Sequence, residues 1–178
     1  MTKNSVLDII HSRRSVRRYS GKSVSREDME TLVRAGMAAP SSRDTRHWYF
    51  IVIDDAEMIK KLVDGLPYAK MLSSAMHAII VASDLTQAHG GVETEYWVQD
   101  CSAAVENVLL AAQSIGIATC WTAAYPRPER VAFVKEVLGI PENVMPLCVI
   151  AVGYSAGDDK PRDKFDSNRI FWNKWDTK

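Results

Sequence analysis

The chain predicts an α+β fold in which helices cover a sheet. Three observations predict it. Four short stretches, rich in β-branched and apolar residues, are read as buried strands: Trp48–Asp54, His77–Ser83, Ile117–Ala123 and Leu147–Tyr154. The stretches around them carry apolar residues at helical spacing. Two such helical stretches precede the first strand, and no GxGxxG follows that strand to open a dinucleotide-binding helix. With 178 residues and no repeat, linker or low-complexity tract, residues 1–178 are read as one domain.

The elements follow in order. Ser5 is placed to cap a first short helix, with Asp8 three residues on and Val6, Leu7, Ile9 and Ile10 as its apolar positions. Ser25 and Asp28 form the capping box of a second helix, whose inner face is Met29, Leu32, Val33, Gly36 and Met37. Pro40 stops it, and Ala39–His47 is a polar loop leading into the first strand. Asp54 or Asp55 caps a third helix to about Val63, which Gly65 and Pro67 break. Lys70 and Met71 lead to the second strand. The longest helix is expected from about Glu93 to Ile115, apolar on most sides, with Gly116 ending it. At 1.5 Å per residue it would span about 35 Å and serve as a spine. Pro126 and Pro128 open one more helix, closed by Gly139 and Pro141, before the last strand. The tail 155–178 is polar, yet holds Ile170, Phe171, Trp172 and Trp175. Aromatics in so short a tail have no core of their own, and another subunit is their expected partner.

Composition narrows the function. Twenty-two basic and 22 acidic residues leave a formal net charge of zero, which argues against a nucleic-acid partner. Cys101, Cys120 and Cys148 are too widely spaced for a metal knuckle and odd in number, so neither a zinc site nor a disulfide framework is expected. No signal peptide or membrane span is read from the N-terminus, and a cytoplasmic protein is expected.

The chemistry concentrates in His11–Tyr19, HSRRSVRRY. Arg13, Arg14, Arg17 and Arg18 present planar donor forks suited to phosphate or carboxylate, and Ser12 and Ser15 add hydroxyls between them. Taken alone, such a run reads first as a solvated basic patch. Other candidates divide less evenly. Cys120 and Trp121 are read as core packing, His77 as structural and Asp100 as a cap or packing partner. His47, in the polar loop, is the one histidine considered for a substrate contact.

Four segments together resemble the nitroreductase family of flavin mononucleotide (FMN) enzymes over nearly the whole chain. They are RRSVR at Arg13–Arg17, APSSRDTRHW at Ala39–Trp48, LLAAQSIGIATCW at Leu109–Trp121, and GY followed by KPR between Gly153 and Arg162. The resemblance implies a central, mainly antiparallel sheet and an interlocked homodimer with FMN at its interface. It implies that NAD(P)H delivers hydride to flavin N5 and that a nitroaromatic, quinone or similar small acceptor then takes it. By the family's pattern Arg13, Ser15, Lys160 and Arg162 would hold the phosphate. Arg14 would lie beside the ring edge. Arg17, and less directly Lys70, would stand near the pyrimidine edge, where a cation favours the N1 anion of reduced flavin. Ala123 and Ala124 would face N5, and Pro40, Ser41, Ser42 and Asp44 would close the flavin from the partner subunit. The pattern implies no protein group as catalytic acid or base, since the flavin carries the chemistry.

This chain departs from the pattern at three places. Asp44 stands where asparagine is usual, and Arg46 and His47 stand where Gln-Pro is usual. An ionised Asp44 cannot donate to the flavin; a ribityl hydroxyl, Arg43 or Arg46 are its alternatives. Rival readings are a relative using the fold for reductive dehalogenation or flavin cleavage, a flavin-binding redox sensor without turnover, and a nucleic-acid module built on HSRRSVRR.

Overall fold

The computed structural model describes residues 6–91, 93–157 and 160–175. Ser5, the expected first cap, lies outside them. Helix α1 is Val6–Ser12 and α2 is Arg26–Met37. Strand β1 is Trp48–Ile53, followed by α3, Ala56–Gly65, and a single helical turn α4, Leu72–Ala75. Strand β2 is His77–Asp84 and the spine α5 is Tyr96–Ser114. Strand β3, Ala118–Ala123, helix α6, Pro128–Leu138, and strand β4, Val144–Gly153, complete the order.

The strands form one sheet, β1-β2-β4-β3, in which every neighbouring pair is antiparallel. The two central strands carry apolar side chains on both faces, so every residue of β2 is buried. Alternate residues serve opposite layers. Ile79, Val81, Ile150 and Val152 pack with Met29 and Leu32 of α2 and with Trp97, Val105 and Val108 of α5. Ala78, Ile80, Val149 and Ala151 face the other way, toward Ile59 and Leu62 of α3, Leu72 of α4 and Val134 of α6. Burying each large side chain contributes about 1.5–3 kcal/mol, and Leu32, Leu62 and Trp97 are wholly enclosed.

Local chemistry sets the boundaries. Ser25 Oγ accepts the Asp28 amide at 3.0 Å, and Asp55 rather than Asp54 caps α3, accepting from the Met58 amide at 2.8 Å. Gly36 lets α2 close on the sheet and spine. A Cβ there would stand 2.7 Å from the Phe50 ring and 3.0 Å from Val108. Pro146 sits within central β4, where a proline removes a ladder donor. The register between β2 and β4 shifts between Val81 and Ala82, and Ala82 is the residue opposite Pro146. Helix α5 starts at Tyr96, later than Glu93, because Glu95 takes a left-handed turn with φ 54°.

Helix α1 buries none of its residues: Val6, Leu7 and Ile10 face solvent in the protomer. In the tail, Phe171 stacks on Trp175 with ring centroids 4.2 Å apart, while Trp172 stays 83% exposed. No helix among the described residues is long and apolar enough to cross a membrane.

Candidate functional site

The segment leaving α1 runs along the edge of the sheet. Ser15 bridges Thr119 of β3, with the Val16 amide donating to the Thr119 carbonyl at 2.9 Å. Val16 and Tyr19 turn into the core. The arginines between and beside them are therefore turned outward. Further on, the segment meets the chain leaving β4. Ser20 N donates to Tyr154 O at 2.9 Å and Ala156 N to Arg18 O at 3.0 Å. Backbone bonds thus clip the two ends of the chain together.

This clip places Arg13, Arg14, Ser15 and Arg17 opposite Lys160, Pro161, Arg162 and Lys164, around a cleft of about 550 Å³. Among the described residues, no carboxylate lines it. Arg13 Nε is braced by Glu106 at 3.2 Å and Arg14 by the Gln113 side-chain oxygen at 3.2 Å, both from α5. Six cations facing one space suit a polyanion; a phosphate dianion fits them by charge and by the fork geometry of arginine. Lys164 was not singled out in the sequence. A lysine in an irregular polar tail carries no pattern that marks it.

The second candidate segment, Pro40–His47, contributes nothing to the cleft lining. Its 3₁₀ turn, Ser42–Asp44, has positive φ at Arg43 (53°) and Asp44 (55°), and Arg46 follows at 49°. Its polar groups are largely engaged within the chain. Ser41 Oγ accepts the Arg46 amide at 3.1 Å, Ser42 Oγ lies 3.1 Å from His89 Nδ1, and the Ser42 amide donates to Asp100 Oδ2 at 2.9 Å. Asp44 is paired with Arg46, whose Nε donates at 2.8 Å; this bond holds the Asp44 carboxyl below its usual range. Of the alternatives for Asp44, the structure shows the Arg46 pair. His89, which stacks on Tyr96 at 5.4 Å, was missed in the sequence because its loop has no periodicity.

Several expected contacts are placed elsewhere. His47 is fully enclosed, so it is corrected from a substrate contact to an interior residue: Asp100 Oδ2 lies 2.9 Å from its Nε2 and Ser83 Oγ 2.8 Å from its Nδ1. Asp100 is the packing partner expected. Lys70 is outside the cleft lining, its ammonium donating to the Val63 carbonyl at 2.7 Å. Ala123 ends β3 exposed, whereas Ala124 is buried and its amide donates to Leu147 O at 3.0 Å. The three cysteines are buried, and burial pushes the Cys101 thiol up to about 12, with the Asp100 charge adding to it. No group of three or more metal-ligating side chains occurs among the described residues.

Fold and cleft define an α+β protein with a cationic cleft where the segment after α1 meets the chain beyond β4. Comparison with known proteins gives the class its name. The nitroreductase family model matches residues 10–66 and 63–154. A protein of Archaeoglobus fulgidus, named as an NADH dehydrogenase/NAD(P)H nitroreductase, is 41% identical over 172 residues, covering 95% of this chain and 98% of that one. A similarly named crystal structure from Bacteroides thetaiotaomicron has a TM-score of 0.91 at 44% identity, covering 98% of this chain and all of that one. An FMN-dependent nitroreductase of Clostridium difficile has a TM-score of 0.86 at 26% identity, covering 95% and 99%. The chain belongs to the nitroreductase family and is an oxidoreductase.

Proposed function

We propose that the protein is a single-domain, cytoplasmic FMN enzyme, which takes hydride from NAD(P)H at flavin N5 and passes it to a nitroaromatic, quinone or similar small acceptor in ping-pong fashion. The observation that carries this is the cleft in which four arginines and two lysines meet. Related proteins named for NAD(P)H or FMN support the choice of donor and cofactor. Bound there, FMN supplies the hydride chemistry, and the protein supplies position, charge and exclusion of water.

Arg13, Ser15, Lys160 and Arg162 hold the phosphate, and Lys164 adds its charge at the mouth of the cleft. Arg14, steadied by Gln113, lies beside the ring edge. Arg17, exposed on the same segment, stabilises negative charge at N1. The small Ala123 leaves room above the ring for donor and acceptor in turn. Lys70, whose ammonium has two donors beyond its bond to Val63, is the further cation for the pyrimidine edge.

The cofactor's other wall comes from a partner. Pro40, Ser41, Ser42 and Asp44 lie outside the cleft of their own chain. Gln113, which braces the clamp, is thirteen residues beyond Asp100, which anchors the wall, or about 20 Å along α5. A homodimer, each wall covering the other chain's flavin, uses both. The exposed α1 residues and Trp172 supply apolar surface for that interface.

The test is direct. Purified protein is expected to show the two-banded visible spectrum of oxidised flavin, and to oxidise NADH or NADPH steadily when menadione is supplied. Colourless protein that gains no band with added FMN would rule the reading out.

A further inference from the structure

Behind the wall loop lies a row of buried polar groups that the proposed reaction does not use. His47 is fully enclosed just before β1. A carboxylate only accepts, so His47 Nε2 carries the proton it shares with Asp100 Oδ2, 2.9 Å away. That same oxygen accepts the Ser42 backbone N–H at 2.9 Å. On its other side His47 Nδ1 meets Ser83 Oγ at 2.8 Å, near the end of β2. The imidazole therefore ties the central sheet to the spine, and the carboxylate ties the spine to the wall.

The members are those of a hydrolytic triad, but the arrangement is not. Ser83 is wholly buried, and it faces the nitrogen that a triad gives to its aspartate. With nucleophilic work excluded, what remains is placement. Residues 43, 44 and 46 hold left-handed backbone without a glycine among them, a conformation that persists only where surroundings over-determine it. The Ser41 Oγ bond to the Arg46 amide and the Thr45 Oγ bond to Ser42 O at 3.0 Å lie inside the loop. The bond from Ser42 N–H to Asp100 joins the loop to the core, and His47 holds Asp100 in line for it.

We propose that His47 is a positioning residue: through Asp100 it fixes the loop 41–46 in the shape that covers the cofactor in the partner's site, and so sets how tightly donor and acceptor bind there. The inference rests on the FMN reading, but its first readout does not. Amide exchange at Ser42 is measured on the full-length protein, with and without FMN; KM and kcat are then measured with NADH and menadione.

His47→Leu and Asp100→Leu are each expected to speed Ser42 exchange roughly tenfold and to raise both KM values roughly tenfold, the effect of one lost buried bond, with kcat changed less than about threefold. The double variant should be no worse than Asp100→Leu alone, because the two act in series. Asp100→Asn, with its amide oxygen in the place of Oδ2, still accepts from both the Ser42 N–H and His47 Nε2. It should stay within about threefold of the parent in all readouts. The proposal is overturned by parental exchange in His47→Leu, by Asp100→Asn as damaged as Asp100→Leu, or by unchanged KM values in a variant whose loop exchanges faster. Should the leucine variants not fold, His47→Gln, whose amide reaches Asp100, is compared with His47→Asn, whose amide falls short; equal Ser42 exchange in the two overturns the proposal. Loss of the flavin reading would show instead as colourless parent protein, with the exchange ranking judged on its own.

Discussion

The cationic cleft and the wall loop hold their polar groups in opposite ways. Around the cleft, arginines and lysines converge on open space, with Glu106 bracing Arg13 and Gln113 bracing Arg14. In the wall loop, Ser41, Ser42, Asp44 and Arg46 are bonded within their own chain, and the buried row behind them has little left to offer a ligand. The difference separates two jobs. Substitutions in the cleft should act on the ligand and spare the fold. Substitutions in and behind the wall should act on the fold first.

The largest expected effect tests the cleft. Arg13→Ala combined with Arg162→Ala should weaken FMN binding by roughly a hundredfold or more, since charge-assisted bonds contribute about 1.5–3 kcal/mol each. The flavin-free protein should lose under about 1 kcal/mol of stability, because Glu106 is left half-exposed in water. Fluorescence titration and urea unfolding measure the two quantities; a large loss of stability with unchanged affinity would reverse the contrast.

A smaller effect tests the wall side. Asp84, whose amide donates to His47 O, anchors the turn that leads to His89. Its carboxylate accepts from Thr86 Oγ at 2.6 Å, from Gln87 at 2.7 Å, from the Thr86 amide at 2.9 Å and from Asn143 at 3.0 Å. These bonds, the Thr86 hydroxyl foremost, hold its pKa at about 2. The unfolded chain binds that proton more tightly, near 3.8. The stabilisation is therefore complete above about pH 4 and is lost as pH falls through 2, amounting to roughly 2 kcal/mol. Asp84→Asn should remove that amount at neutral pH and flatten the acid limb of a urea-unfolding series. An acid limb identical to that of the parent would show that this carboxylate is not bound as tightly as its contacts imply.

The smallest effect returns to the cleft. Arg17→Ala should leave the fold intact and lower the flavin midpoint potential by roughly 20 mV, which is about 1 kcal/mol for a two-electron couple. Dye equilibration of the loaded variant measures it, and an unchanged or raised potential would remove Arg17 from the pyrimidine edge.

Much of this was legible in the sequence. The strands were, because the residues of β2 and β4 must be apolar when helices cover both faces; the cap Ser25 is a local signal, and the cap of α3 narrows to Asp54 or Asp55. The helical turn α4 was not: four residues, LSSA, are too few to show a period. The early start of β4 at Val144 was hidden by Pro146, tolerated because the register shifts beside it. In the cleft, the arginine cluster and Lys160–Arg162 could be matched to a known pattern, but Lys164 had nothing to mark it. His47 was misjudged because a polar residue in a polar stretch looks exposed. Its enclosure depends on Ser83 and Asp100, 36 and 53 residues away, and nothing local announces such a meeting.

The clip between the chain ends has a consequence for biosynthesis. A ribosome releases residues 13–17 long before residues 160–164, so the two halves of the clamp emerge at different stages of translation. Every strand of the sheet lies between them, and closing so long a loop comes late in folding. A nascent chain stalled before β4 can have its first helices and hairpin yet no place for a phosphate. Binding at this cleft thus waits on the folded sheet, since a chain without residues 160–164 lacks half of the clamp.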